Sequence, residues 1–257
     1  MTHSPDDTRT DAPLAGKTAL VTGGARRLGA VIAHALHGAG ARIVLHYRSS
    51  ADAAQALADQ LNTVRAGSVA LAGADLLAPE AIPRLAETAQ AAFGRLDILV
   101  NNASTFYPTP IGRIDEHAWT DLIGTNLKAP LFLAQALSGA LRVNSGLILN
   151  LVDIHGMRPL RHHALYSVAK AGLIMLTKSL ARELGPQVRV NAIAPGPVMW
   201  PESGVDEALR RRIIERTALK RGGSPEDIAR AALFFACDAP FVTGQILAVD
   251  GGRSIGW

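Results

Sequence analysis

The chain has 257 residues, 48% of them hydrophobic and 19% charged, with a formal net charge of +4 and a pI near 9.6. Such a composition is ordinary for a globular protein with a sizeable core, and a single cysteine, Cys237, excludes an intrachain disulfide and a cysteine-based metal site. No uninterrupted apolar run reaches the ~18 residues of a spanning helix, so no membrane partner is expected. The basic clusters (residues 210–212, 220–221 and 158–163) are short and aromatics are sparse, which argues against a nucleic-acid surface and for anionic small molecules. A reducing compartment, the cytoplasm, is expected.

In chain order, residues 1–13 are polar, lack an apolar signal core and read as a flexible tail, leaving 14–257 as one domain. A first strand is predicted over 17–22, followed by glycines and a helix over 28–37. Further strands are predicted over 42–47, 68–73, 96–100, 146–152, 188–194 and 246–249, with helices over 51–64, 164–184 and 225–237. Strands alternating with long helices imply right-handed βαβ crossovers. The expected architecture is therefore α/β: one Rossmann-type doubly wound domain with a parallel sheet and helices on both faces.

The first strand runs directly into Thr22-Gly23-Gly24-Ala25-Arg26-Arg27-Leu28-Gly29. Glycines at such a turn let backbone approach a pyrophosphate, which the helix N-terminus attracts, and Arg26 and Arg27 favour an anion. The second strand ends at His46-Tyr47-Arg48-Ser49, without the carboxylate that would hold a ribose 2′-hydroxyl. Arg48 and Ser49 suit a 2′-phosphate instead, so NADPH is the expected cofactor.

Asp153, Tyr166 and Lys170 form a second constellation, spaced Asp-x12-Tyr-x3-Lys. Tyr166 and Lys170 share one helix face, and an ammonium beside a phenol is expected to lower the tyrosine pKa from ~10 toward neutrality. Asp153 ends the predicted fifth strand and adds a titratable group there.

From about residue 14 to 255 the chain resembles the short-chain dehydrogenase/reductases. The matching residues are Thr22, Gly23 and Gly29; Ala74, Asp75 and Leu76; Asn101, Asn102 and Ala103; Asn126; Tyr166 and Lys170; Pro195 and Gly196; and residues 243–252. The resemblance implies a cofactor lying across the sheet edge. Its contacts would come from Thr22, Gly23, Arg26, Arg27, Leu28 and Gly29, then Tyr47, Arg48 and Ser49, with adenine near Asp75 and Leu76. Asn102, Ala103 and Ser104 would lie beneath it, Pro195 and Gly196 beside it, and Tyr166 and Lys170 would hold the nicotinamide ribose. Asn126 would complete the catalytic group by linking Lys170 to solvent through water, in a helix that Pro130 kinks. A tetramer built through the long helices is also implied.

Two departures narrow the resemblance. Asp153 stands where the wider family has a serine, and Arg27 where it has a second glycine. Both are features of the pteridine reductase branch, which the chain also resembles at Leu45-His46-Tyr47-Arg48-Ser49, at residues 102–110 and at residues 126–130. The substrate-binding residues implied are Arg27, Phe106, Asp153, Tyr166, Met199 and Trp200, with Phe106 stacking on a flat pterin. An ionised aspartate opposes the negative charge of a reacting ketone, whereas reduction of a ring C=N needs a proton at nitrogen, delivered directly or through water. The expected activity is NADPH-dependent reduction of a dihydropterin or dihydrofolate-type ring. The alternatives are a carbonyl reductase acting on 3-oxoacyl, sugar or steroid ketones, and a silent NADPH-binding regulator. Histidines 155, 162 and 163 lack a metal-ligand spacing, so no metal is expected. With Arg158 and Arg161 they are solvated loop charges, or else they meet an acidic substrate tail.

Overall fold

The computed structural model describes residues 12–200 and 206–256. Most of the expected tail, residues 201–205 and Trp257 lie outside the described residues.

The centre is a seven-stranded sheet in which every neighbouring pair is parallel. Its strands are β1 Thr18–Val21, β2 Arg42–Tyr47, β3 Val69–Gly73, β4 Ile98–Asn101, β5 Leu147–Leu151, β6 Arg189–Pro195 and β7 Ile246–Val249. Strands β1, β4 and β5 are buried at every position, so they are near-continuous apolar runs, interrupted by Thr18, Asn101 and Asn150, rather than alternating ones, as a parallel sheet covered on both faces requires. The helices are α1 Arg27–Gly38, α2 Ala51–Val64, α3 Ala81–Ala91, α4 Glu116–Ile123, α5 Ala129–Val143, α6 Ala164–Leu184, α7 Glu207–Glu215 and α8 Pro225–Leu233.

Two large apolar clusters sandwich the sheet. One joins α1 and α8 to strand residues such as Val21, Ile43 and Leu149. The other joins α3 and α5 to Leu20, Leu99 and Ile148. The order β3-β2-β1-β4-β5-β6-β7 reverses direction between β1 and β4. There the loops leaving the carboxyl ends diverge and open a crevice, the expected ligand position of a doubly wound sheet.

The expected strands all form, within about two residues of their predicted ends. The sequence reading does not anticipate α3 or α7. The predicted helix over 225–237 ends as α-helix at Leu233 and finishes in a π turn, Phe234–Asp238. A second π turn, Gly124–Lys128, lies between α4 and α5 and holds Asn126. Pro130 sits at the start of α5 and has no amide to close an α-type bond onto the carbonyl of Asn126. The expected kink is thus a π turn completed just before the proline.

Candidate active site

The glycine turn is built mainly by its own backbone. The Thr22 hydroxyl accepts from the Asn102 and Ala103 amides at 2.9 and 3.0 Å. The Asn102 side chain donates to the carbonyls of Thr22 and Gly23 at 2.8 and 3.0 Å. A Cβ on Gly29 would lie 2.2 Å from the Gly23 carbonyl oxygen, so glycine is required there by the turn itself. Asn102 accordingly braces the turn with its side chain.

The Gly23 and Gly24 amides are occupied as well. Gly23 donates to Nδ1 of His46 at 3.0 Å and Gly24 to the His46 carbonyl at 2.8 Å. An anion at this turn would therefore meet the first turn of α1, where helix amides have no intrahelical partner. Arg27 opens that helix at φ +54°, a left-handed conformation that disfavours any residue with a Cβ. Strain of this kind persists where the surroundings impose it, commonly at functional sites.

A cleft of about 200 Å³ runs from this turn across the carboxyl ends of β1, β2, β3 and β4. Arg26, Tyr47, Arg48, Ser49, Asp75 and Ser104 are among its walls. Leu76 and Ala103 also line it. It offers cations and hydroxyls at one end and an exposed carboxylate near the other wall, a donor set that fits a phosphorylated nucleotide. Gly73 leaves room for the Tyr47 ring, since a Cβ there would meet the phenol oxygen at 3.0 Å. Pro195 and Gly196 are not among these walls. They sit at the end of β6, where Gly196 donates to the Val249 carbonyl at 3.0 Å.

Ser104 leads from the cleft to the second constellation. Its hydroxyl donates to Oδ1 of Asn126 at 2.6 Å, while Nδ2 of Asn126 donates to the Thr105 and Leu122 carbonyls at 3.0 Å each. Asn126 is wholly buried. Its side chain anchors the loop after β4. Lys170 donates to the Leu151 carbonyl at 2.8 Å.

Asp153 caps a 3₁₀ turn, Ile154–Gly156, accepting the His155 amide at 2.8 Å on Oδ1. Its Oδ2 accepts the Tyr166 hydroxyl, also at 2.8 Å. Gly156 makes this approach possible, because a Cβ there would lie 2.8 Å from the backbone of Lys170. The turn after β5 can therefore lie directly on α6.

The expectation for Tyr166 is overturned. Its pKa is raised well above 10 by burial, then by the Asp153 charge and hydrogen bond, with Ser104 opposing. The Lys170 ammonium lies 5.6 Å from the phenol ring centroid, whereas the carboxylate touches the hydroxyl itself. Burial pushes Lys170 itself down from 10.5 to about 8, against the pull of Asp153. Tyr166 is a phenol at neutral pH, a proton donor already aimed at a carboxylate.

Phe106 meets Tyr166 edge-on at 4.8 Å and is stacked by His163 at 4.7 Å and 14°. A flat substrate must use the other face or displace the imidazole. Met199 packs against the main core cluster and does not stand free beside the site. The Trp200 carbonyl accepts from Arg27 at 3.2 Å, and the Arg210 guanidinium lies 5.5 Å from its ring centroid. Arg27 thus joins the glycine turn to the loop after β6. Arg158 donates to the Gly256 carbonyl, and no potential metal cluster occurs among the described residues.

A family model described as "Enoyl-(Acyl carrier protein) reductase" matches residues 23–254. The chain belongs to the short-chain dehydrogenase/reductase family. It is 36% identical to pteridine reductase 1 of Leishmania tarentolae, with 99% of each chain covered. It is 34% identical to a 3-oxoacyl-[acyl-carrier-protein] reductase of Chlamydia trachomatis, over 94% of this chain and 98% of that one. It is 37% identical to 3beta-hydroxysteroid dehydrogenase 1 of Eggerthella lenta, over 94% and 95%. Like these short-chain dehydrogenase/reductases, the protein is an oxidoreductase, and no described helix is long and apolar enough to cross a membrane. Among the cleft residues that sequence reasoning missed is His46. Its only signal was a histidine at the end of the second strand.

Proposed function

We propose that this protein is an NADPH-dependent pteridine reductase, reducing the C=N bond of a dihydropterin or dihydrofolate-type ring to the tetrahydro form. The reading rests on the 2.8 Å bond from Tyr166 to Asp153 beside the exposed ring of Phe106. A carboxylate only accepts, so it cannot do what a serine hydroxyl does for a developing oxyanion.

NADPH would be held by the first turn of α1 and, at its 2′-phosphate, by Arg48 and Ser49, with no acidic residue at the end of β2 to favour NADH. The reduced nicotinamide supplies the hydride to the ring carbon, and the ring nitrogen takes a proton. Tyr166 holds that proton and would give it to the nitrogen, taking another from solvent, while Asp153 accepts its hydroxyl and orients it. Asn126, through Ser104 and Thr105, keeps Phe106 presented as the stacking surface. Lys170 supplies a buried positive charge one helical turn from Tyr166. Arg27 would hydrogen-bond the substrate or the cofactor phosphates while tied to Trp200. We place the protein in the cytoplasm, in keeping with its single cysteine.

The similarity to oxoacyl and steroid enzymes supports a second reading, a carbonyl reductase. NADPH oxidation followed with dihydrobiopterin, dihydromonapterin, dihydrofolate and an acetoacetyl thioester separates the two. Turnover of at least one pterin or folate is expected. Turnover of the thioester alone would reject the proposal.

A further inference from the structure

His46 lies at the carboxyl end of β2, 2% exposed, and both of its ring nitrogens are engaged across the cleft described above. Nδ1 accepts the Gly23 amide at 3.0 Å, and Nε2 lies 3.0 Å from the Ala74 carbonyl. Because an amide can only donate to Nδ1, the ring proton must sit on Nε2, where it donates to Ala74. Gly23 belongs to the glycine turn and Ala74 to the loop after β3, next to Asp75. One imidazole therefore spans the two walls between which a nucleotide would lie.

We propose that His46 is a positioning residue for the dinucleotide: in its neutral Nε2–H form it sets the spacing between the glycine turn and the loop after β3. The inference rests on reading this cleft as the cofactor site. Protonation would turn Nδ1 into a second donor facing the Gly23 N–H, so the strut holds only while the ring is neutral. Burial lowers the His46 pKa from 6.5, against the Ala74 hydrogen bond and the charge of Asp75. The other charges around the ring come from the glycine turn (Arg26) and the end of β2 (Arg48); the cleft-lining residues after β4 bring none.

The test separates the two bonds. In His46→Asn the side-chain amide reaches about as far as Nδ1 does, so only the Gly23 bond is kept. In His46→Gln it reaches about as far as Nε2, so only the Ala74 bond is kept, while His46→Leu loses both. NADP⁺ affinity would be measured by calorimetry at pH 8 and pH 5.5, with thermal melting to confirm folding. At pH 8, His46→Leu should bind about 10-fold more weakly, with the Asn and Gln variants between it and the native protein. The ratio of native to Leu-variant affinity should not grow at pH 5.5, since burial keeps the ring neutral to below 6.5 and protonation can only weaken the strut. Using the ratio removes the titration of the 2′-phosphate, whose pKa is about 6. Equal affinity of all four proteins at pH 8, or a ratio that grows on acidification, would overturn the strut. If His46→Leu does not fold, the Asn and Gln variants carry the same comparison. A native protein that binds no nicotinamide dinucleotide would overturn the cofactor reading instead.

Discussion

At the scale of single residues, the site is governed by burial and by which charge touches the hydroxyl. Lys170 and Tyr166 are four apart on α6, yet the tyrosine's proton affinity is raised first by burial and then by Asp153, thirteen residues earlier. The spacing between Tyr166 and Lys170 is legible in the sequence. The distance to Asp153 is not, because it depends on how the turn after β5 lies on α6. Lys170 is charged and buried at a cost, since a fall from 10.5 to about 8 corresponds to about 3 kcal/mol. Lys170→Met should therefore raise stability at pH 7 by about 1–2 kcal/mol in urea unfolding, allowing for the lost bond to Leu151, while turnover falls at least about 100-fold. The folded-state pKa lies below the unfolded one, so native stability should rise between pH 8 and 10.5 and close the gap to the variant. A destabilised variant, or a gap that widens with pH, would contradict this account.

At the scale of elements, the loop after β4 is the part that must be held still. Phe106 is half exposed on it, and Asn126 fixes it from the π turn between α4 and α5 with two hydrogen bonds, to Ser104 and Thr105, and ties itself to α4 with a third, to Leu122. Asn126→Ala would leave the Thr105 and Leu122 carbonyls without this donor in the interior. It should cost about 2–3 kcal/mol by denaturant unfolding and lower the pterin rate at saturating NADPH. Stability within about 0.5 kcal/mol of native would reject the anchoring role. The strands were legible because a buried parallel strand is a near-continuous apolar run, as in β1 and β5. Helix α7 was not, because Arg210, Arg211 and Arg212 break any apolar stripe and no residue of it is buried. The His163–Phe106 stack joins residues 57 positions apart, a contact no local pattern encodes.

At the scale of the whole molecule, a doubly wound parallel sheet follows from alternating strands and helices, whereas the strand order and its switch point are set by which strands pair and are read from the structure. Assembly is the remaining question. Trp119 on α4, Phe132 on α5, and Val168 and Met175 on α6 are 40–60% exposed. Val168 and Met175 are seven apart and share one face of α6. Exposed apolar side chains on adjacent long helices suit an interface between copies of this chain, in line with the tetramer we expect. Val168→Glu should lower the sedimentation coefficient of the native assembly; an unchanged value would move the interface elsewhere.

The central claim is that Asp153 directs this site to a ring nitrogen. It is tested most directly by Asp153→Ser, assayed with a dihydropterin and with an acetoacetyl thioester, alongside NADPH binding. The account predicts that pterin turnover falls at least about 100-fold while NADPH affinity stays within about twofold. Pterin turnover equal to that of the native protein would contradict it.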